Sequence, residues 1–227
     1  MDNENLIIAI DGPSGTGKSI TSQLLANKLG FRYIDSGSYY RAVTYYVLNN
    51  NVKLNDYLAI CKVAQGIELK FTNEAVFQEE ADMIKNFKRL DVTNKVSQIS
   101  KIGAMRRIIN EKLVKLNDGT SGLVMEGKDI GNNVFPKANF KFYLVSDMSA
   151  RVARRHQDFL DFGQKIAKDK IEREIKLRDD MEMKKSPVIL RKAENAIVVD
   201  TTNMIVEEQV NYLFRIITNP ETNLIQP

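Results

Sequence analysis

The chain has 227 residues, 43% hydrophobic and 27% charged, a balance typical of globular proteins large enough to bury a core, and no apolar run approaches the ~20 residues of a membrane span. One cysteine, Cys61, excludes a disulfide framework, and one histidine, His156, excludes a His-based triad or metal cluster. The net charge of +4 leans towards anionic ligands, yet the two signs are interspersed, so nucleotide phosphates explain it as well as nucleic acid does.

The first residues, Met1-Asp2-Asn3-Glu4, lack the basic and apolar regions of a signal peptide, so a cytoplasmic protein with no membrane attachment is expected. Leu6–Ile10 has the pattern of a short buried strand, and Ser19–Ala26 runs on at helical period after a Gly-rich turn. Phe31–Asp35 reads as a second strand ending at Ser36-Gly37-Ser38, followed by a helix over Tyr39–Leu48 and the polar break Asn49-Asn50-Asn51. Ile67–Phe71 and Ala75–Phe77 flank a Thr72-Asn73-Glu74 turn and predict a hairpin. Helices follow over Leu90–Ile99 and Ala104–Leu116, the second closed by Asn117-Asp118-Gly119. Three more strands are expected at Leu123–Met125, Phe140–Val145 and Ala196–Asp200, with a long charged helical stretch, Ser149–Lys185, between the last two. The tail beyond Asn219 is expected to fray.

Five short strands alternating with helices predict an α/β fold, a doubly wound five-stranded parallel sheet with right-handed crossovers. No linker or repeat interrupts it, so one domain is expected: a core over about 5–60, 100–148 and 186–218, an insertion at about 61–99 carrying the hairpin, and an arginine-rich helical lid at about 149–185.

Gly12-Pro13-Ser14-Gly15-Thr16-Gly17-Lys18-Ser19 is a complete phosphate-binding loop of the P-loop NTPase type, with strand before and helix after. Its glycines let backbone N–H groups turn inward, and the helix N-terminus adds partial positive charge aimed at the same phosphates. Lys18 is expected to reach the β- and γ-phosphates of a nucleoside triphosphate, and the Ser19 hydroxyl to hold Mg²⁺.

Three features narrow the class. No Asn-Lys-x-Asp guanine-reading motif is present, since Asn94-Lys95-Val96-Ser97 lacks the aspartate, and Met125-Glu126 is a weak match to an ATPase carboxylate. Asp35-Ser36-Gly37-Ser38-Tyr39-Tyr40-Arg41 follows the second strand, at the edge where doubly wound sheets bind ligands, so Ser36 and Arg41 are candidates to clamp a second phosphate. The alternative is a helix cap at Ser36 with a solvated Arg41. Arg151, Arg154 and Arg155 fall at i, i+3 and i+4 on one helical face, a simple solvated face or a source of charge for phosphoryl transfer.

Ile8–Ser19, with its Asp11-Gly12-Pro13-Ser14-Gly15 opening, Asp35–Ala42, and Glu126-Gly127-Lys128-Asp129-Ile130-Gly131-Asn132-Asn133-Val134-Phe135-Pro136 together resemble bacterial cytidylate kinases. Val96-Ser97, Ala153-Arg154-Arg155 and Ile175–Asp180 add to the likeness, which runs in family order from residue 7 to about 202. The resemblance implies an ATP-dependent nucleoside monophosphate kinase that gives ADP and CDP or dCDP from CMP or dCMP. It implies that the phosphate loop, Thr21, Arg154 and Arg155 bind ATP, leaving Arg151 undecided, and that the insertion binds the monophosphate. Ser36, Arg41 and Arg178 would bind the CMP phosphate, while Ser97, Arg106 and Asp129 would read cytosine. Lys18, Arg154 and Arg178 would carry catalysis. An ionised Asp129 suits the exocyclic amine of cytosine and repels the carbonyl that uracil presents there.

The chain departs from the family pattern in places: Lys128 stands where Arg is usual in Asp-Gly-Arg-Asp, the lid offers Glu182 and Lys185 where a carboxylate and then an arginine are usual, and Lys88 stands where an arginine is common. Lysine keeps the charge but loses the planar fork that grips phosphate. The partners expected are the nucleotides ATP and CMP or dCMP acting on a monomer, without nucleic acid. Two rivals share some of these features: a related small-molecule kinase acting on UMP or shikimate, and a nucleotide-dependent switch or nucleic-acid-binding module. The Asp129 region argues against the first, and the missing guanine motif and dense basic block against the second.

Overall fold

The computed structural model describes residues 5–68, 86–87, 89–161, 163–184 and 191–219. The hairpin expected from Ile67 lies outside these residues beyond Glu68. Strand β1 (Ile7–Asp11) is buried over its last four residues, as its unbroken apolar run requires for a strand covered on both faces. It pairs in parallel with β3 (Leu123–Glu126) on one side and β4 (Phe140–Val145) on the other. β2 (Arg32–Asp35) and β5 (Ile197–Asp200) complete a five-stranded sheet in the order β2-β3-β1-β4-β5. The chain winds first to one side of β1 and then to the other, so the C-terminal end of β1 lies at the switch point of the sheet.

The chain divides into two compact units, one comprising the chain to Tyr33 and from Ser121 onward, the other Ile34–Thr120. The second is wider than the 61–99 insertion that the sequence suggests. In the first unit, helices α1 (Lys18–Leu29) and α8 (Val206–Thr218) pack together over one face of the sheet. Their core joins Ile8, Ile10 and Leu25 with Phe142, Leu144 and Leu213, all essentially inaccessible to water. The long charged stretch is two helices, α6 (Met148–Asp161) and α7 (Lys168–Lys184), not one. Gly163 separates them: its φ of +71° is a left-handed conformation that ends a helix, and its N–H returns to the Leu160 carbonyl. Val152, Ile171 and Ile175 form a small separate core between the two helices.

The second unit is helical: α2 (Ser36–Asn49), α3 (Tyr57–Gly66), α4 (Leu90–Ile99) and α5 (Gly103–Lys115), with α2 packed on α4 and α3 on α5. Helix α2 begins at Ser36, three residues before the sequence pattern suggests, because the Asp35 carboxylate accepts from Gly37 N and Ser38 Oγ, both at 2.8 Å. The sequence pattern read above contains no counterpart of helix α3. Asp56 caps it by accepting from Ala59 N at 2.9 Å, and Cys61 on it is half-buried.

Candidate active site

The phosphate loop joins the end of β1 to α1 and is fixed from several directions. Gly12 has φ +145°, and a Cβ there would stand 2.2 Å from the Leu144 carbonyl oxygen, so only glycine lets the loop leave β1 beside β4. Thr16 Oγ1 and Lys18 Nζ both donate to the Pro13 carbonyl, at 3.1 and 2.6 Å. Thr201, fully buried after β5, donates its hydroxyl to the Thr16 and Val145 carbonyls at 3.0 Å. Thr21, expected among the ATP ligands, is instead fully buried and gives its hydroxyl to Gln209 Oε1 at 2.7 Å. The Gln209 amide in turn donates to the Met204 carbonyl at 3.1 Å, which ties α1 to the loop after β5. Ser19 stands exposed in the first turn of α1.

Charge is concentrated at the C-terminal ends of β1 and β3. Burial pushes the pKa of the Lys18 ammonium below its usual value, with nearby Arg178 and Arg151 acting in the same direction and Glu126 and Asp11 opposing. Burial raises the Asp11 carboxyl from 3.8 to about 6, although N–H donors from Gly131 and Ile130 oppose the shift. Glu126 is 3% exposed and accepts from the Tyr33 hydroxyl at 3.1 Å.

The three arginines of α6 have different surroundings. Arg151, which the sequence leaves undecided, is buried. Its Nε donates to the Ser14 carbonyl of the phosphate loop at 2.7 Å, and its Nη1 and Nη2 grip Asp179 of α7 at 2.7 and 3.0 Å. Arg154 is half-buried and donates to Ser146 Oγ and Thr201 Oγ1 at 3.3 and 3.2 Å and to the carbonyls of Thr201 and Met204. Arg155 lies over the Phe159 ring, 4.8 Å from its centroid, and 3.5 Å from Asp158. Arg178, half-buried, precedes Asp179 on α7.

After β3 the chain passes Lys128, half-buried, and Asp129, 4% exposed, into a single π-type turn, Ile130–Val134. Asp129 Oδ2 accepts from Asn133 Nδ2 at 2.7 Å. Four more of the residues assigned to CMP, Ser36, Arg41, Ser97 and Arg106, belong to the second unit. Ser36 is 4% exposed at the start of α2 and is not its cap. Arg41 on the same helix donates to Thr93 Oγ1 at 3.2 Å. Ser97 is buried on α4, and Arg106 on α5 donates to the Ser100 carbonyl at 3.2 Å with its guanidinium 5.0 Å from the Tyr40 ring centroid. Glu182 lies on α7, and Lys185 lies outside the described residues.

The sequence profile of the family described as cytidylate kinase matches residues 8–219. The chain belongs to the cytidylate kinase family. The cytidylate kinase of Caldanaerobacter subterraneus subsp. tengcongensis is 37% identical over 96% of this chain and 96% of its own, and that of Lactiplantibacillus plantarum 33% identical over 99% and 100%. A gluconokinase from Sinorhizobium meliloti 1021 shares the fold at 13% identity, with a TM-score of 0.51 over 99% of this chain and 97% of that one.

Within this cytidylate kinase family chain, four residues near the phosphate loop escape a reading of the sequence: Asp11 as an acceptor, Arg151 as a tie to Ser14, and Thr201 and Gln209. Asp11 could have been found, since a carboxylate directly before the loop is an unusual end for a buried strand. Thr201 and Gln209 carry no local signal.

Proposed function

We infer that the protein transfers the γ-phosphoryl group of ATP to CMP or dCMP, giving ADP and CDP or dCDP. The observation that carries this reading is Asp129, a nearly inaccessible carboxylate on the turn after β3, in a chain of this family with a complete phosphate loop. A carboxylate there accepts from the exocyclic amine of cytosine and disfavours the carbonyl of uracil. Ser97 and Arg106 are assigned to the remaining edge of the base, and Ser36, Arg41, Lys128, Arg178, Glu182 and Lys185 to the monophosphate and its sugar.

The reaction joins an oxygen of the CMP phosphate to the γ-phosphorus of ATP and breaks its bond to the β–γ bridging oxygen, which leaves with ADP. The attacking phosphate is already ionised near neutral pH, so no general base is required, in keeping with the absence of a histidine from the loop. Catalysis then rests on positioning and on charge neutralisation. Lys18 is assigned to offset charge on the transferred group, and Arg154, Arg155 and Arg178 to supply further positive charge to it. Arg151 fixes α6 to the phosphate loop through Ser14, and the other two arginines follow within one turn.

The residues present suit Mg²⁺ as the metal. Among the described residues no group of three His, Cys, Asp or Glu side chains is arranged to hold an ion, whereas the exposed Ser19 hydroxyl is a hard oxygen donor at the helix N-terminus. Mg²⁺ is commonly held by one or two protein oxygens together with substrate phosphates and water. When bound, it neutralises phosphate charge; Ser19 is the residue that would hold it.

The test is an ADP-release assay with CMP, dCMP, UMP and AMP as acceptors, in the wild type and in Asp129→Asn. CMP and dCMP are expected to be the efficient acceptors. Loss of a charge-assisted bond in a closed site costs roughly 1.5–3 kcal/mol, about 10- to 150-fold in the CMP specificity constant, with a smaller loss for UMP. Equal use of CMP and UMP by the wild type refutes the assignment.

A further inference from the structure

Asp129 precedes the Ile130–Val134 turn, the position from which an aspartate side chain ordinarily accepts from N–H groups of the first turn. Its side chain makes no such bond. The donors are taken by a carboxylate at the end of the neighbouring strand, β1. Ile130 N donates to Asp11 Oδ1 and Gly131 N to Asp11 Oδ2, both at 2.8 Å, across 119 and 120 residues of sequence. Asp11 is 2% exposed, and its backbone is fixed in the sheet opposite Tyr143. The approach is close: a Cβ on Gly131 would lie 3.3 Å from Asp11 Oδ2 and 3.1 Å from the Ala193 Cβ. Asn133, at the far side of the same turn, holds Asp129 Oδ2.

We propose that Asp11 is a positioning residue for base recognition: it caps the Ile130–Val134 turn from strand β1, which releases the Asp129 carboxylate from capping and lets Asn133 orient it towards the cytosine amine. The proposal rests on the reading of Asp129 given above. Both Asp11 oxygens accept an N–H, so an amide cannot replace the carboxylate without setting N–H against N–H. The strand supplies rigidity that a loop residue cannot, because Asp11 moves only with the sheet.

Asp11→Asn and Gly131→Ala are the variants, compared with the wild type and with Asp129→Asn. Three quantities are measured: the ratio of specificity constants for CMP and UMP, KM for ATP, and amide hydrogen exchange at Ile130 and Gly131 without nucleotide. Asp11→Asn is expected to lower the CMP-to-UMP ratio about tenfold while KM for ATP stays within about twofold, and to speed exchange at both amides. In the Asp11→Asn, Asp129→Asn double variant the ratio should fall no further than in Asp129→Asn alone, because the two act through one contact. Additive losses overturn the proposal, as does an unchanged ratio with a raised KM for ATP. Should Asp11→Asn fail to fold, Gly131→Ala carries the test: a lowered ratio supports the proposal and an unchanged one overturns it. A wild type that favours CMP while folded variants keep its ratio overturns the proposal alone. A wild type without CMP turnover overturns the reading of the site and the proposal with it.

Discussion

Replacing Arg151 by alanine removes a guanidinium whose side chain is 6% exposed and leaves its partner Asp179, 15% exposed, without a counter-charge. It also strips the Ser14 carbonyl of a 2.7 Å donor within the phosphate loop. Breaking a buried ion pair by deleting one partner costs about 3–5 kcal/mol, since the remaining charge stays desolvated. Asp179 keeps some access to water, which places the expected loss near the lower end, at about 3 kcal/mol. At about 2–4 °C per kcal/mol for a chain of this size, the melting temperature should fall by about 6–12 °C. The assay is thermal unfolding of Arg151→Ala, Asp179→Asn and the double variant. The double variant should be less damaged than the sum of the singles by about 2 kcal/mol, because removing both partners leaves no orphaned charge. KM for ATP should rise in Arg151→Ala, since the Ser14 segment loses its anchor. A fall in melting temperature below about 2 °C, or strictly additive losses, would show that Arg151 is a solvated residue whose bonds contribute nothing.

Lys18→Ala should abolish phosphoryl transfer, with a loss on the order of 10³-fold or more in turnover, while circular dichroism and melting temperature stay near those of the wild type. Near-normal turnover in a folded variant would refute the role of the loop. Asp11 makes a prediction about pH. Its carboxyl titrates at about 6 when folded against an ordinary 3.8, so between these values the folded state holds a proton that the unfolded state has lost. Stability from this group is therefore greatest at low pH and falls as pH rises from about 4 to about 6, by roughly 3 kcal/mol. Asp11→Asn removes that component, so urea unfolding at pH 4 and pH 7 should show the variant gaining about that amount relative to the wild type. A difference that does not change with pH would refute it.

Much of this protein is local in origin. The apolar run of Ile7–Ile10, the turn from Gly12 to Gly17 and the helix that follows specify strand, loop and helix in sequence, and Phe140–Val145 and Leu90–Ile99 fall at the expected boundaries. Element type follows from the period of apolar residues and from turn chemistry, both carried by neighbours in the chain. The Asp56 cap that opens α3, just beyond the asparagine-rich break, is a local signal too. Gly163 likewise marks a helix end, between the charged helices α6 and α7.

The division of labour among Arg151, Arg154 and Arg155 could not be read this way. All three lie on one face of α6, and their spacing is indifferent to what each meets. Asp179 on another helix makes Arg151 a buried tie, while carbonyls after β5 draw in Arg154. The same holds for Asp11, which caps a turn 119 residues away, and for Thr21, whose partner Gln209 lies 188 residues on. A side chain's donors and acceptors are satisfied by whatever the packed sheet and helices bring within 3 Å. That distance is set through space by the order of the strands, and no window of sequence contains it.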